Sequence, residues 1–370
     1  MKKILLPLLA VSLTFGTDAF ALGQNISMYQ SVRSAGMGGL LITTGKYDEN
    51  FFGNPARMTI IPKWRVDVFN VMGDFTYNSP SALMKVVNGG NNMLEAMADN
   101  SGQANHGRVQ TAFPALYFPN ISGGKITLAF GIFLSMQGDM ALRNNYNMDP
   151  DAILDLTPTL SFAHKFMKDD ALSIGINTRF GYRLSTAGAY SLVDFIRGNT
   201  FSPTNNGGDG SMVDFDFGAT YKLPEKWGEF NVNTAFTVNN ILDGRFGYIH
   251  FQVAKLQGSP LQQPRTWGVG ASLVREEWGK FENTTFALEF LNIGSFPRNQ
   301  SFLRFVHLGG ETHWKSLVFR GGLNQGYFTA GLGVDVKWFT FDVATYAEEL
   351  SLNAGGQADR RIAFKLGFQI

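Results

Sequence analysis

From Trp64 to the last residue, apolar and polar side chains alternate with a period of two. Val213, Phe215, Phe217, Ala219, Tyr221 and Leu223 fall on one side of an extended chain, with Asp214, Asp216, Gly218, Thr220 and Lys222 on the other. Leu172, Ile174, Ile176, Thr178, Phe180, Tyr182 and Leu184 alternate in the same way with Ser173, Gly175, Asn177, Arg179, Gly181 and Arg183. Phe328, Ala330, Leu332, Val334, Val336 and Trp338 do so with Thr329, Gly331, Gly333, Asp335 and Lys337. Alternation over roughly ten residues outruns the common soluble strand and suits a tilted strand crossing a bilayer. Fourteen such segments are predicted, starting near residues 63, 109, 125, 154, 171, 212, 229, 265, 283, 303, 316, 327, 338 and 361.

The connections give a second line of argument. PNISGGK, FMKDDA, LPEKWGE, REEWGKFEN, HWKS and the Lys337–Trp338 junction are short. They alternate with the longer stretches 78–108, 138–153, 185–211, 240–264, 292–302 and 347–360, and only Asn324-Gln325-Gly326 is short on the long side. Short periplasmic turns alternating with long external loops are the signature of an outer-membrane barrel, and an even strand count puts both ends of the sheet in the periplasm. The expected fold is therefore all-β, a transmembrane antiparallel β-barrel of 14 strands over residues 63–370. The last segment alternates to the final residue, with Ile362, Phe364, Leu366, Phe368 and Ile370 on one face. That ending resembles the signal read by the outer-membrane assembly machinery. Within 78–108, Ala82, Leu83, Val86, Val87, Met93, Leu94 and Met97 recur at helical spacings, so a helical external loop is expected there.

Composition supports a membrane wall. The chain carries 33 Phe, 11 Tyr and 6 Trp with only 16% charged residues, against about 25% in soluble domains. Beyond the N-terminus no apolar run is long enough for a spanning helix, and closure is the other way to pair every backbone group in lipid. Lys2 and Lys3, the apolar run Ile4 to Phe15 and Ala19-Phe20-Ala21 predict a signal peptide over residues 1–21. Its removal takes Lys2, Lys3 and Asp18 from 31 bases and 30 acids and leaves 29 of each. That balance argues against nucleic acid as a partner. There is no cysteine, hence no disulfide and no thiolate metal site.

Residues 22–62 fit neither pattern, and a lumenal plug is expected. Within Ser31–Met58, Gly36, Gly38 and Gly39 permit positive φ or close backbone approach, and Pro55 follows Asn54 and precedes Ala56. S-V-R-S-A-G-M-G-G followed by N-P-A-R-M resembles the N-terminal hatch of the FadL family of outer-membrane channels for long-chain fatty acids and other hydrophobic compounds, PorV-like relatives included. Leu308-Gly309-Gly310-Glu311, Phe319-Arg320-Gly321-Gly322-Leu323 and Thr329-Ala330-Gly331-Leu332-Gly333 are similar to that family's C-terminal strands.

The resemblance implies a Gram-negative outer-membrane channel that takes up a hydrophobic, fatty acid-like ligand. The hatch residues Gly36, Gly38, Gly39, Asn54, Pro55 and Ala56 close the bore, and the ligand leaves sideways into the membrane lipid. Pro114 and Pro158 are the candidate positions for a gap in the wall, since proline cannot donate to a strand ladder. The alternative implied by the PorV-like branch is a partner or shuttle in protein secretion, with a secretion-system partner.

Asp67, Arg179, Arg183, Asp214, Asp216, Glu289, Arg320, Asp335, Lys337 and Asp342 are expected to face the lumen as a pairing network that seats the plug. The five histidines are scattered, with His106 and His250 expected in external loops and His164 on an apolar face. His307 and His313 share a face of one strand but stand too far apart for one metal. No catalytic triad, metal site or cofactor site is expected, and the chain is not read as an enzyme.

Overall fold

The computed structural model describes residues 27–77, 104–142, 147–186, 190–191, 207–247, 260–295, 300–351 and 353–370. The expected signal peptide, residues 78–103 of the expected helical loop, and His250 lie outside them.

The strands are β1 (Arg65–Thr76), β2 (Ala104–Asn120), β3 (Ile126–Leu142), β4 (Asn147–Phe166), β5 (Leu172–Thr186), β6 (Tyr190–Ser191) and β7 (Gly207–Lys222). They continue as β8 (Asn231–Asn239), β9 (Thr266–Trp278), β10 (Phe281–Ile293), β11 (Val306–Trp314), β12 (Leu317–Asn324), β13 (Tyr327–Val336), β14 (Phe339–Glu349) and β15 (Ala358–Gln369). Every adjacent pairing is antiparallel. The sheet runs β3-β2-β1-β15 and on down to β7-β5-β4, and the β3–β4 pairing closes it. β6 adds only two residues, beside the outer end of β4. The wall is thus a closed barrel of fourteen strands, the architecture of an outer-membrane protein.

All fourteen predicted segments are present, but those around the first long loops extend further. β2 starts at Ala104 and β4 at Asn147, so residues 104–108 are strand rather than helical loop, and most of 138–153 is strand. Burial follows the sequence alternation. Asp214 and Asp216 are fully buried while Phe180, Phe328 and Leu332 are exposed on the outer face. Five tryptophans, Trp64, Trp227, Trp278, Trp314 and Trp338, are exposed near the short-turn rim, where an aromatic girdle meets the membrane boundary. Asp335 and Lys337, expected in the lumen, are instead exposed where β13 reaches that rim. His106, expected in a loop, lies in β2, with its Nε2 2.8 Å from Asp74 and its Nδ1 2.6 Å from Asp139.

Residues 27–62 pack against the lumenal side of the wall. A short helix, α1 (Val32–Gly36), starts where Ser31 Oγ accepts from the Ser34 N–H. Two 3₁₀ turns follow, Tyr47–Phe51 and Pro55–Ile60, with Pro55 at the first position, where its missing N–H costs nothing. α1 touches β12 to β15, and the second turn touches β3, β4, β5 and β7, so this segment meets opposite sides of the barrel.

Glycines set how closely it approaches the wall. Gly38 has φ +78° and Gly39 φ +82°, a conformation that other residues adopt only with strain. A Cβ on Gly331 of β13 lies 3.1 Å from Gly36 Cα. Replacing Gly331 with valine is therefore expected to push α1 away from the wall while leaving the strand ladder formed. Limited proteolysis checks this: cleavage within residues 27–62 should rise, with the heat-modifiable gel mobility of the barrel preserved.

Candidate functional site

The bore of the barrel is polar, and burying a chain segment in it requires a partner for each backbone group. Glu289, on β10 and fully buried, answers three of them. Its carboxylate accepts from the N–H groups of Leu41 (2.7 Å), Ile42 (3.0 Å) and Thr43 (2.7 Å), and from the Thr43 hydroxyl. Asn177 on β5 donates to the carbonyls of Asn50 and Phe51, and Asn239 on β8 donates to those of Phe52 and Gly53.

Ion pairs add to these contacts. Glu311 of β11 takes Arg33 at 2.8 Å, Lys46 at 2.8 Å and Arg320 at 2.7 Å, and Arg33 also reaches Glu49 at 2.9 Å. Asp48 receives Lys365 at 2.9 Å, the Tyr29 hydroxyl at 2.9 Å and Asn70 at 2.8 Å. Burial pushes the Asp48 carboxyl up. The Lys365 ammonium and the Tyr29 hydroxyl pull it down further and leave it below the usual carboxylate range. Burial raises the Tyr29 hydroxyl well above its ordinary value, so it stays a donor.

The sequence-predicted residues sort into two groups. Gly36, Gly38 and Gly39 lie under β11 to β14, where the Gly38 N–H donates to Thr329 Oγ1 at 2.9 Å and the His307 Nδ1–H donates to the Gly38 carbonyl at 2.9 Å. Asn54, Pro55 and Ala56 lie under β5 and β7, with Asn54 and Ala56 fully buried. The Asn54 amide donates to the carbonyls of Ile42 (3.0 Å) and Ala219 (3.3 Å), and its oxygen accepts from the Ala56 N–H. A Cβ on Gly218 of β7 lies 2.8 Å from Pro55 Cδ, so the strand itself is kept bare for this turn. Within the expected pairing network, Arg183 binds Asp155, Arg179 binds Asp216, and Arg320 binds Asp342. Asp214 instead accepts from the backbone of Leu242 and Gly244, which anchors the loop after β8.

Pro114 and Pro158 flank β3. The β1–β2 ladder passes from Asp67↔Ala115 to Asn70↔Ala112 and skips Phe113 and Pro114, and the β2–β3 register shifts at the same place. Pro114 is therefore mid-strand, not at a strand beginning. Pro158 pairs with Ile132 of β3, and on its other side the β4–β5 ladder is interrupted between Leu156↔Tyr182 and Thr159↔Arg179. Both interruptions follow from the missing N–H of proline.

An aromatic cluster that the period-two pattern does not reveal lies inside this stretch of wall. Tyr29 and Phe52 stack at 4.8 Å, and Phe133 of β3 meets Phe52 at 4.8 Å and Phe51 at 5.2 Å. The small inward residues Ala112, Ala115, Ala129 and Ala163 leave room for these rings. Beside the cluster is a cavity of about 180 Å³ whose apolar lining includes Tyr29, Leu41, Ile42, Phe52 and Leu291. Polar residues line it as well, Arg179, Asn239, Asn240 and His307 among them. Among the described residues no group of histidine and carboxylate side chains could hold a metal ion.

No sequence family and no curated protein matches the chain by sequence. Solved structures do match. The toluene transporter TbuX of Ralstonia pickettii superposes with a TM-score of 0.50 at 13% identity, covering 92% of this chain and 97% of that one. The CymD monoaromatic hydrocarbon channel gives 0.53 at 12%, covering 91% and 96%. The chain has the fold of the FadL-type barrels. The resemblance read from the N-terminal motif thus holds for the fold, over nearly the whole length of both neighbours. Both neighbours are named for transport.

Two outcomes are expected. Glu289→Ala orphans three buried N–H groups, each worth about 1–3 kcal/mol. The amides of Leu41, Ile42 and Thr43 should then exchange hydrogen at least about tenfold faster, while strand amides keep their protection. Because the Asp48 carboxyl is held down in the folded state, its contribution to docking is fully present above about pH 4 and lost as pH falls through the depressed value. Proteolytic release of residues 27–62 should therefore rise on acidification in the wild type, and by less in Asp48→Asn, where only the remaining carboxylates Glu49, Glu289 and Glu311 are left to protonate.

Proposed function

We propose that the protein is an outer-membrane channel for the uptake of small hydrophobic molecules, with residues 22–62 as a hatch and residues 63–370 as the barrel. The observation that carries this reading is the cavity of about 180 Å³ with the Tyr29–Phe52 pair in its lining. A cavity of about 150 Å³ lined by apolar side chains accepts benzene, so this volume suits a single aromatic ring better than a long acyl chain. The names of the two fold neighbours, a toluene transporter and a monoaromatic hydrocarbon channel, support the same ligand class. The fatty acid-like ligand implied by the hatch motif is accordingly replaced in this proposal by a monoaromatic one.

The route proposed is lateral. A ligand entering from outside reaches the cavity, passes the rings of Tyr29, Phe52 and Phe133, and leaves into the membrane lipid where the ladders break at Pro114 and Pro158. An apolar molecule on that path is kept from the ion pairs around Glu311 and Asp48, where its transfer is unfavourable, and passes one buried guanidinium, Arg179, which is paired with Asp216. Gly36, Gly38, Gly39, Asn54, Pro55 and Ala56 hold the hatch in register with the wall and keep the remainder of the lumen closed.

Uptake of radiolabelled toluene by cells expressing the chain tests the proposal. Asn54→Ala, which frees the hatch turn from Ala219, and Pro158→Val, which restores an N–H to the wall, should each lower uptake by about tenfold. Barrel abundance in the outer membrane should not change. Toluene uptake no greater than in cells lacking the chain, together with exported proteins stranded on its deletion, would instead favour the secretion-partner reading.

A further inference from the structure

The outer face of the wall carries a feature that uptake through the bore does not use. Across β10 to β12 it is hollowed into an apolar groove of about 1330 Å³. Its floor is bare, because Gly310 of β11 pairs with Gly321 of β12, and the next residue in that row, Ala330 of β13, is also small. A Cβ on Gly321 would meet nothing nearer than the Thr329 carbonyl oxygen, 4.0 Å away, so the space above it is open. Exposed rings flank the floor, with Phe286 leaning over Gly310 on one side and Trp314 and Phe319 on the other. The groove begins at the short-turn rim, where the exposed Trp278 and Lys280 line it, and ends against Leu308 and Leu323. From Trp314 to Leu308 it follows β11 for about 20 Å at about 3.4 Å per residue, which is about 15 Å along the membrane normal at a tilt of about 40°. One leaflet of a bilayer with a hydrocarbon core about 30 Å thick has that depth.

We propose that this groove seats one amino-phospholipid of the periplasmic leaflet, with an acyl chain over Gly310 and Gly321 and the phosphate at Lys280. The inference needs only that the barrel spans the membrane, and it stands apart from the channel reading. A hollow of this kind is filled by a flexible chain, whereas the convex wall of a second copy would bridge it. Apolar packing by itself prefers no lipid over another, since the competing chains are equally apolar. Selection therefore rests on the headgroup end. There the Lys280 ammonium suits a phosphate, and Trp278 and Trp314 bring amphipathic rings to the headgroup level. Glu277 and Glu282 stand opposite each other across the same turn, both exposed. Their carboxylates suit the ammonium of an amino headgroup and disfavour a headgroup that is only anionic.

The experiment is native mass spectrometry of the full chain, purified from outer membranes in a mild detergent, with the retained lipid identified by its mass. The wild type is expected to keep one amino-phospholipid per chain. Gly321→Leu fills the groove from a position where an added side chain meets open space, so the barrel should still fold, as heat-modifiable gel mobility checks. Lys280→Glu removes the partner of the phosphate without touching the floor. Retention should fall by at least about fivefold in each variant. A wild type that carries no phospholipid overturns the inference, as does retention in folded Gly321→Leu or Lys280→Glu equal to that of the wild type. Lipopolysaccharide, a purely anionic phospholipid or a protein partner held in place of the amino-phospholipid, and lost in Gly321→Leu, overturns it too by giving the groove another occupant.

Discussion

A polar chain segment held inside a barrel must have its backbone groups and charges answered by the strands around it. The rest of this structure follows from that constraint. Glu289 accepts from three consecutive N–H groups, Asn177 and Asn239 each donate to two carbonyls, and Glu311 gathers Arg33, Lys46 and Arg320. A segment docked in this way cannot slide by one residue without orphaning several buried groups at once. Its position relative to the wall is therefore set more sharply than apolar packing alone could set it. Buried ion pairs contribute little net stability, since desolvation offsets much of their attraction. Their use here is to fix register between two parts of the chain nearly three hundred residues apart.

The same constraint shapes the two faces of the wall. Where the segment lies nearest the strands, the inward positions are glycine: Gly309, Gly322 and Gly331 under Gly36–Gly38, and Gly175 and Gly218 under the Asn54–Ala56 turn. Where it turns aromatic rings outward, the inward positions that meet them on β2 to β4 include Ala112, Ala115, Ala129 and Ala163 and two rings, Tyr117 and Phe133. On this side the ladders also break at Pro114 and Pro158. The ion pairs that hold the segment at β11, β12 and β15 and the aromatic surface beside β2 to β4 thus meet different parts of it.

Reading the alternation correctly located all fourteen strands, since a period of two is a local property and each buried-exposed pair reports on itself. Strand ends were less legible. β2 and β4 run several residues past the places where the apolar alternation fades, because their outer ends are held by pairing with β3 and not by a bilayer. His106 was misplaced for that reason. Asp335 and Lys337 follow the inward parity, but the barrel rim ends before parity can bury them, so alternation gives the face and not the depth.

The sequence by itself determined the class of the protein: a fourteen-stranded barrel with an apolar exterior, and an N-terminal segment whose glycine cluster and Asn54-Pro55-Ala56 set it apart from the strands. What tertiary structure alone decided is which lumenal side chains meet that segment. Glu311 was not among the expected lumenal charges although its parity on β11 points inward, and Tyr29, Phe51 and Phe52 carry no periodic signal at all. The cavity and the aromatic cluster beside it arise from residues on the segment and on several strands that no spacing rule connects. Local periodicity encodes the direction each side chain faces. The curvature that brings two facing side chains together is a property of the closed sheet.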